Sequence, residues 1–310
     1  MRIKLLVAAA FAFAALIAAT AAVTAVAGSH FSDWSTAQKI DEIDGNSTEL
    51  NTPFLDGCPM QSPDGLSLYM ASNRPGGVGL LDIWVAHRAS RHDPWGAPDN
   101  LGEPVNSAAD DFCPTPIRGD GLFFVSREAL AGSCGLGDIY FTRNAGGQWT
   151  EPQHLACAPD GPNSPLDEQG PSYIKAGGNA SLYFSRGSGA VPGDIYVSHG
   201  VVGSEFGPAE PVVELNHPTA NDIQPNVRKD GREVVFSSNR AGTLGGQDIW
   251  ASTRQTPHGP WSTPVNLGPA VNTAAGETRP SLSWLARTLL FGRAPGPEGM
   301  SDIYVAARRP

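Results

Sequence analysis

Asp82-Ile83-Trp84 is the first of five copies of a short sequence, an aspartate, an isoleucine and an aromatic residue, that decides the fold. The other copies are Asp138-Ile139-Tyr140, Asp194-Ile195-Tyr196, Asp248-Ile249-Trp250 and Asp302-Ile303-Tyr304. Successive copies are 56, 56, 54 and 54 residues apart. A period of this length is typical of a β-propeller blade or a solenoid unit, so the sequence predicts a repeat protein.

Each repeat contains the signals of four strands. A proline opens it, and in the first repeat the turn sequence Pro63-Asp64-Gly65 and the apolar run Leu68-Tyr69-Met70 follow. The polar stop Ser72-Asn73-Arg74 then precedes the Asp-Ile-aromatic strand, and an aromatic residue marks a fourth strand. The opening prolines are Pro59, Pro114, Pro171, Pro225 and Pro280. Four strands per repeat form a propeller blade, so we expect an all-β fold, a five-bladed β-propeller.

The two ends of the chain indicate how the ring closes. The fifth repeat stops at Pro310, directly after its third strand, and the stretch from Trp34 to Ile40 resembles the missing fourth strand. We expect this N-terminal strand to complete the last blade, which would leave no open sheet edge. The predicted blades are approximately 52–106, 107–160, 161–217, 218–272, and 273–310 plus 34–44.

The first residues have the pattern of an export signal. Arg2 and Lys4 precede an apolar run that extends to about Val23, and small residues follow at Ala25-Val26-Ala27. This pattern predicts a signal peptide at 1–27 and a propeller at 28–310. We therefore expect an exported protein, periplasmic or secreted. The run is also long enough to leave an uncleaved membrane anchor as an alternative.

The charge balance restricts the partners. The chain has 31 acidic and 21 basic residues, a formal net charge of −10. An acidic protein is a poor partner for phosphate backbones and anionic lipid. We therefore expect no nucleic-acid binding and no membrane insertion of the mature protein. We predict a monomer that binds a protein or a small ligand at one end of the ring.

The four cysteines predict two disulfides, as is usual in an exported protein. Four cysteines allow three pairings. Cys58 and Cys113 occupy the same position in adjacent repeats, so a bridge between those two blades is the preferred pairing. Cys134 with Cys157 is then the second bridge.

The repeat resembles a known family. Ser62-Pro63-Asp64-Gly65, Ser72-Asn73-Arg74 and the Asp-Ile-aromatic sequence are similar to the TolB-type, WD-like repeat, and the linkers 100–106 and 266–272 resemble the version found in bacterial envelope proteins. The resemblance covers residues 34–310 and implies a propeller used mainly for binding. TolB itself has six blades and a separate N-terminal domain. Neither is found here, so its partners are not carried over.

A carboxylate stands three residues before each opening proline. These five residues, called the repeat carboxylates below, are Asp56, Asp111, Glu168, Asp222 and Glu277. Around the axis they could bind Ca²⁺ through oxygen ligands. The alternative, which we prefer, is that each accepts hydrogen bonds from backbone N–H groups of its own or a neighbouring blade. We expect no cofactor, with Ca²⁺ at the repeat carboxylates as the alternative.

Function is better sought where the repeats differ. Just before the prolines stand Cys58, Cys113, Gly170, Gln224 and Arg279. Gln224 and Arg279, together with Asn226, place polar variation on the inner strands of adjacent blades. These residues are candidates for a small polar ligand site. The alternative is a packed contact between blades.

The sequence contains none of the common catalytic motifs, such as His-Glu-x-x-His or Gly-x-Ser-x-Gly. We therefore predict a non-enzymatic β-propeller acting as a protein- or ligand-binding scaffold in the cell envelope. The alternative is a glycan-active hydrolase or lyase, which needs two carboxylates in unlike environments. Acidic residues specific to one blade and directed at the channel would support that alternative. The nearest candidates are Asp110 and Asp167.

Overall fold

Five antiparallel sheets around a common axis form the described part of the chain, residues 31–129, 132–176, 179–200 and 206–310 of a computed structural model. The predicted signal peptide lies outside these residues. The first elements are β1 (Gln38–Lys39) and two 3-10 turns, Ile40–Glu42 and Thr48–Leu50. Blade 1 consists of β2 (Asp56–Gln61), β3 (Ser67–Ser72), β4 (Asp82–His87) and β5 (Asp99–Asn100). The all-β, five-bladed propeller expected from the repeats is confirmed.

The other blades repeat this order. Blade 2 consists of β6 (Asp111–Ile117), β7 (Gly121–Ser126), β8 (Asp138–Ala145), β9 (Gln148–Trp149) and β10 (Gln153–His154). Blade 3 consists of β11 (Asp167–Ala176), β12 (Asn179–Gly187), β13 (Asp194–Gly200) and β14 (Phe206–Pro211). Blade 4 consists of β15 (Asp222–Val227), β16 (Glu233–Ser238), β17 (Asp248–Thr253) and β18 (Val265–Asn266). Blade 5 contains β19 (Gly276–Leu282), β20 (Thr288–Ala294) and β21 (Asp302–Ala307).

The N-terminal strand closes the ring as predicted. β1 pairs antiparallel with β21, with Gln38 opposite Val305 and Lys39 opposite Tyr304. The last sheet therefore has the order β1-β21-β20-β19. Joining the first strand of the chain to its last blade removes the sheet edge that an open ring would expose.

The hydrophobic core lies between the blades. The second strand of each blade contributes its apolar run, as in β7, where all six residues from Gly121 to Ser126 are buried. Phe123 packs against Phe141 in its own blade and against Phe206 of blade 3, with ring centroids 4.7 and 5.8 Å apart. Both faces of each sheet are covered, which is why these runs are apolar without alternation. No helix within the described ranges is long and apolar enough to cross a membrane.

The first strand of every blade is the innermost one, because the first strands of neighbouring blades pack against one another. Each contains a β-bulge at the residue before the opening proline, where the pairing register shifts. That residue has a positive φ in all five blades: Cys58 47°, Cys113 50°, Gly170 58°, Gln224 55° and Arg279 57°. A bulge re-aims the side chain of the inserted residue. The innermost strands begin at one end of the ring, the start end, and turn into the second strands at the other, the turn end.

Candidate functional site

The repeat carboxylates are buried within their own blades. Their exposed fractions are 0 or 1%. Each accepts a hydrogen bond from a backbone N–H four or five residues earlier: from Thr52 at 2.6 Å, Ser107 at 2.6 Å, Ser164 at 3.0 Å, His217 at 2.6 Å and Thr273 at 3.0 Å. These bonds close the loop that leads into each innermost strand. These hydrogen bonds lie within each blade, as the structural alternative predicts.

Arginines complete four of these five contacts. In blades 1, 3, 4 and 5 the arginine after the second strand forms an ion pair with the repeat carboxylate of the same blade. The pairs are Arg74 with Asp56, Arg186 with Glu168, Arg240 with Asp222 and Arg293 with Glu277. A buried carboxylate needs such a partner, because an unpaired buried charge is costly.

Glu168 has the most perturbed carboxyl group of the five. Burial raises the pKa of Glu168 to about 7, and the hydrogen bonds from Ser164 and Arg186 oppose that rise without cancelling it. In the folded state the Glu168 carboxyl group therefore stays protonated at pH values above its ordinary pKa of 4.5. A pKa that is higher in the folded than in the unfolded state lowers stability as pH rises between the two values.

We expect the free energy of unfolding to fall between about pH 4.5 and pH 7 through Glu168. The Glu168→Gln variant, whose side chain does not titrate, should lose this part of the pH dependence. Urea unfolding across that range tests the prediction, with Glu277→Gln in blade 5 as the matched control. A Glu168→Gln variant with the full pH slope of the parent protein would contradict it.

The polar residues predicted near the axis form contacts between blades. Asn226 accepts a hydrogen bond from the backbone N–H of Leu282 at 2.9 Å and so links blades 4 and 5. Gln224 donates to the side-chain oxygen of Gln169 at 3.2 Å. The channel beside these residues encloses only about 30 Å³. That volume holds little more than one water molecule, so a sugar-sized ligand does not fit inside the channel.

The cysteines form two disulfides, Cys58 with Cys113 and Cys134 with Cys157. These are the pairings that the repeat alignment preferred. The first joins the bulges of blades 1 and 2 beside the axis, and the second lies within blade 2. His154 approaches the second bridge, and its ring nitrogen lies within 4.8 Å of both sulfurs. Since both sulfurs are in a disulfide, they are not thiolate ligands, and we assign no metal here. Two disulfides are consistent with an exported protein.

Blade 2 departs from the arginine pattern. Arg127 does not contact the repeat carboxylate Asp111 of its own blade. Instead it binds Asp110 at 3.1 Å and, across the blade boundary, Asp167 at 2.8 Å. Without an arginine, burial raises the pKa of Asp111 above its usual value. The two carboxylates that the sequence marked as specific to their blades are therefore brought together by one guanidinium.

Asp110 and Asp167, called the carboxylate pair below, lie at the start end. Their side chains are 26% and 11% exposed, and Arg127 is 36% exposed, so solvent reaches the group. Both contact the same guanidinium, so the two contacting oxygens are at most about 8 Å apart. Glycosidases hold their two carboxyl groups about 5–9.5 Å apart. Gly137 provides space for Asp167, since a Cβ at Gly137 would lie 2.3 Å from its carboxylate oxygen.

Two further side chains extend this site toward the axis. Gln169 donates to Asp167 at 2.5 Å and receives the bond from Gln224. Arg279 lies near Gly57, where a Cβ would come within 2.8 Å of its guanidinium. Burial, and secondly the charge of Arg127, lower the pKa of Arg279 to about 10. Within the described ranges no acceptor bonds to the Arg279 guanidinium, and its Nε is buried without a partner.

Part of this site was predicted from the sequence. Asp110, Asp167, Gln224 and Arg279 were candidates, whereas Arg127 and Gln169 were missed. The available signal was the doubled acid in Asp110-Asp111 and Asp167-Glu168, which the other repeats lack. Arg127 was missed because the equivalent arginines of the other repeats form an ion pair with the repeat carboxylate of their own blade.

Compared by sequence, the chain matches no family model and no characterised protein. Its structure is similar to a GH43 endo-arabinanase from Bacillus licheniformis, with a TM-score of 0.54 and 14% identity over 82% of this chain and 93% of the other. It is similar to an endo-arabinase from Bacteroides thetaiotaomicron, with a TM-score of 0.54 and 15% identity over 84% and 95% of the two chains. The catalytic domain of a Coprinopsis cinerea GH62 α-L-arabinofuranosidase has a TM-score of 0.55 and 10% identity over 89% and 96%. At these identities the likeness shows the fold.

These comparisons correct two predictions. The assignment to the TolB-type, WD-like repeat family is wrong, because the structural neighbours are glycoside hydrolases with five-bladed propellers. The prediction of a non-enzymatic, protein-binding scaffold is wrong for the same reason. The shared motifs led to the wrong family because their residues form contacts that hold a blade together, whatever the family. The aspartate of Asp-Ile-aromatic, for example, accepts the backbone N–H of Leu244 at 2.7 Å in blade 4, a loop closure that any such blade can use.

Proposed function

We propose that this protein is a glycan-active hydrolase whose reaction centre is the carboxylate pair at the start end of the propeller. The observation that carries the proposal is the approach of Asp110 and Asp167 to one guanidinium, at 3.1 and 2.8 Å, in a part of the molecule open to solvent. Glycoside hydrolysis needs two carboxyl groups on either side of the scissile bond, and their separation decides whether one acts on water or on the sugar. Two such groups at one end of the propeller support this reaction class.

The two carboxylates are placed for different roles. Asp167 accepts hydrogen bonds from Gln169 and Arg127, which favour its ionised form, so it is placed to take a proton from a water molecule. Asp110 is the more accessible, at 26% exposure, and has the longer contact with Arg127, so it is placed to give a proton to the leaving oxygen. The water oxygen bonds to the anomeric carbon as the glycosidic bond breaks.

The substrate class to test first comes from the neighbours' names, which include endo-arabinanase, α-L-arabinofuranosidase and xylan β-1,4-xylosidase. A pentose-containing plant-type glycan is therefore the first choice. A periplasmic or secreted location, as the export signal predicts, would place the enzyme where such glycans are found.

We expect the protein to release reducing ends from arabinan, arabinoxylan or their oligosaccharides, and Asp110→Asn and Asp167→Asn each to lower kcat by at least about a hundredfold. The matched control is Asp99→Asn, because Asp99 is an exposed carboxylate away from this site. Circular dichroism should show that all three variants keep the fold. Absence of release from every glycan, or full activity in Asp167→Asn, would overturn the proposal.

A further inference from the structure

The turn end of the propeller carries a second feature that the carboxylate pair does not use. A cavity of about 740 Å³ lies there, lined among others by Arg118, Arg143, Tyr173, Lys175 and Trp284. Ligand cavities in proteins typically enclose about 300–1,000 Å³. It is at the opposite end from Asp110, since the seven residues of β6 separate Asp110 from Arg118, a span of roughly 20 Å.

The indole ring of Trp284 contacts cations from two other blades at this end. Arg118 of blade 2 lies over the ring at 4.5 Å, and Lys229 of blade 4 lies over it at 4.9 Å. Trp284 belongs to blade 5, which does not adjoin blade 2 in a ring of five. The contact with Arg118 therefore spans the mouth of the channel, and it fixes two cations by cation–π attraction.

The cations in this cavity lack acidic partners. Within the described residues, no carboxylate forms an ion pair with Arg118, Arg143, Lys175 or Lys229. The one carboxylate in the lining, Asp230, is already bound by Arg228 at 2.7 Å and by Arg232 at 3.2 Å. Burial would raise the pKa of Asp230, but these arginines outweigh it and hold that pKa below its usual value.

The cavity at the turn end is positively charged, whereas the protein as a whole is negatively charged. The chain has a formal net charge of −10, yet the cavity concentrates four basic side chains around one neutralised acid. Grouped like charges repel one another in the free protein, and an anion bound among them relieves that repulsion. The cavity is therefore suited to a negatively charged ligand.

The shape of the surface indicates an extended ligand. Two further cavities of about 690 and 520 Å³ adjoin the first, the former sharing Arg118 with it and the latter sharing Trp284. Trp149 lines the first of these extensions, whereas Trp95, which borders the second, is 5% exposed and covered by Arg88 at 4.0 Å. Trp284 and Trp149 together fit a chain of sugar rings better than a single small ion, because aromatic residues provide both apolar and polar contacts.

We infer that the turn end binds an acidic oligosaccharide, a glycan whose uronate carboxylates are held by Arg118, Lys175 and Lys229 beside Trp284. The site is distinct from the carboxylate pair and does not depend on the hydrolase proposal. On a glycan-active protein it would hold an acidic polysaccharide while the other end remains free.

Calorimetric titration with an oligogalacturonide of defined length tests the inference. We expect binding that weakens as salt is added, because charged contacts are screened. The double variant Lys175→Gln/Lys229→Gln should raise Kd by about tenfold, as expected for the loss of a charge-assisted hydrogen bond. Arg309→Gln is the matched control, since Arg309 is exposed and lies outside these cavities. It should leave Kd unchanged.

Three further arms separate the alternatives. A neutral xylo-oligosaccharide of the same length should bind at least tenfold more weakly than the oligogalacturonide, and inorganic phosphate should not compete. Asp167→Asn should bind the oligogalacturonide normally, which keeps this test independent of the hydrolase proposal. Equal binding of the neutral sugar, tight binding of phosphate alone, or an equal effect of Arg309→Gln would overturn the inference.

Discussion

Replacing Arg240 by alanine is expected to lower the free energy of unfolding by about 3–5 kcal/mol, the usual cost of breaking a buried ion pair from one side. Asp222, its partner, is fully buried, and the Arg240 side chain is 10% exposed. Arg240 also donates to the backbone oxygen of Leu215 at 2.6 Å and to the hydroxyl of Ser238 at 2.9 Å. Among the described residues, the variant would leave the Asp222 carboxylate with one hydrogen-bond donor, the backbone N–H of His217.

Equilibrium unfolding in urea measures this loss. Arg309→Ala is the control, because an exposed arginine away from such contacts should change stability by no more than about 0.5 kcal/mol. Arg240→Lys separates charge from geometry: it keeps the positive charge but cannot reproduce the planar fork of donors. A loss below about 1 kcal/mol in Arg240→Ala would show that the repeat carboxylates do not depend on their arginines.

Removing the Cys58–Cys113 bridge is expected to cost about 4 kcal/mol, since the cross-link closes a long loop in the unfolded chain. The sequence separation is 55 residues for this bridge and 23 for Cys134–Cys157. The Cys134→Ala/Cys157→Ala variant should therefore cost somewhat less, about 3.5 kcal/mol. Alanine is the suitable replacement for Cys58 and Cys113, because both are buried and 5% exposed.

The two double variants test each other. Urea unfolding of both, with the parent protein as reference, gives the two stability losses directly. The result that contradicts the prediction is a Cys58→Ala/Cys113→Ala variant as stable as the parent. That result would mean that the packing of the innermost strands of blades 1 and 2 is sufficient to hold them together.

Much of the fold could be predicted because the same strand and turn signals recur in all five repeats. The recurrence of Asp-Ile-aromatic located the third strand of each blade, and the complementary ends of the chain indicated that β1 would complete blade 5. The pairing of Cys58 with Cys113 followed from their equivalent positions. Equivalent residues of adjacent blades lie side by side at the axis of a closed ring, as the Cα–Cα distance of 4.8 Å shows.

The family and the function could not be predicted in the same way. The residues that resemble the TolB-type repeat encode loop closures, such as the bond from Leu244 to Asp248. Propellers of unrelated function need the same loop-closing hydrogen bonds, so neither the fold nor the sequence of the repeat specifies the activity. The comparison of whole structures corrected this prediction because it depends on the arrangement of the blades.

The sequence by itself determined the number of blades and their strand order, because the signals of the four strands recur in each repeat. It also determined the closure of the ring, because the strand that the last repeat lacks stands at the other end of the chain. Only the tertiary structure decided how Arg127 is used. Its position in the repeat predicts a partner in its own blade, yet it joins Asp110 to Asp167 of the next blade. In the same way, Trp284 meets Arg118 only because the ring brings blades 2 and 5 across its axis. Contacts between unlike positions of different repeats, such as these two, depend on the closed shape of the ring, and no pattern in the repeats predicts them.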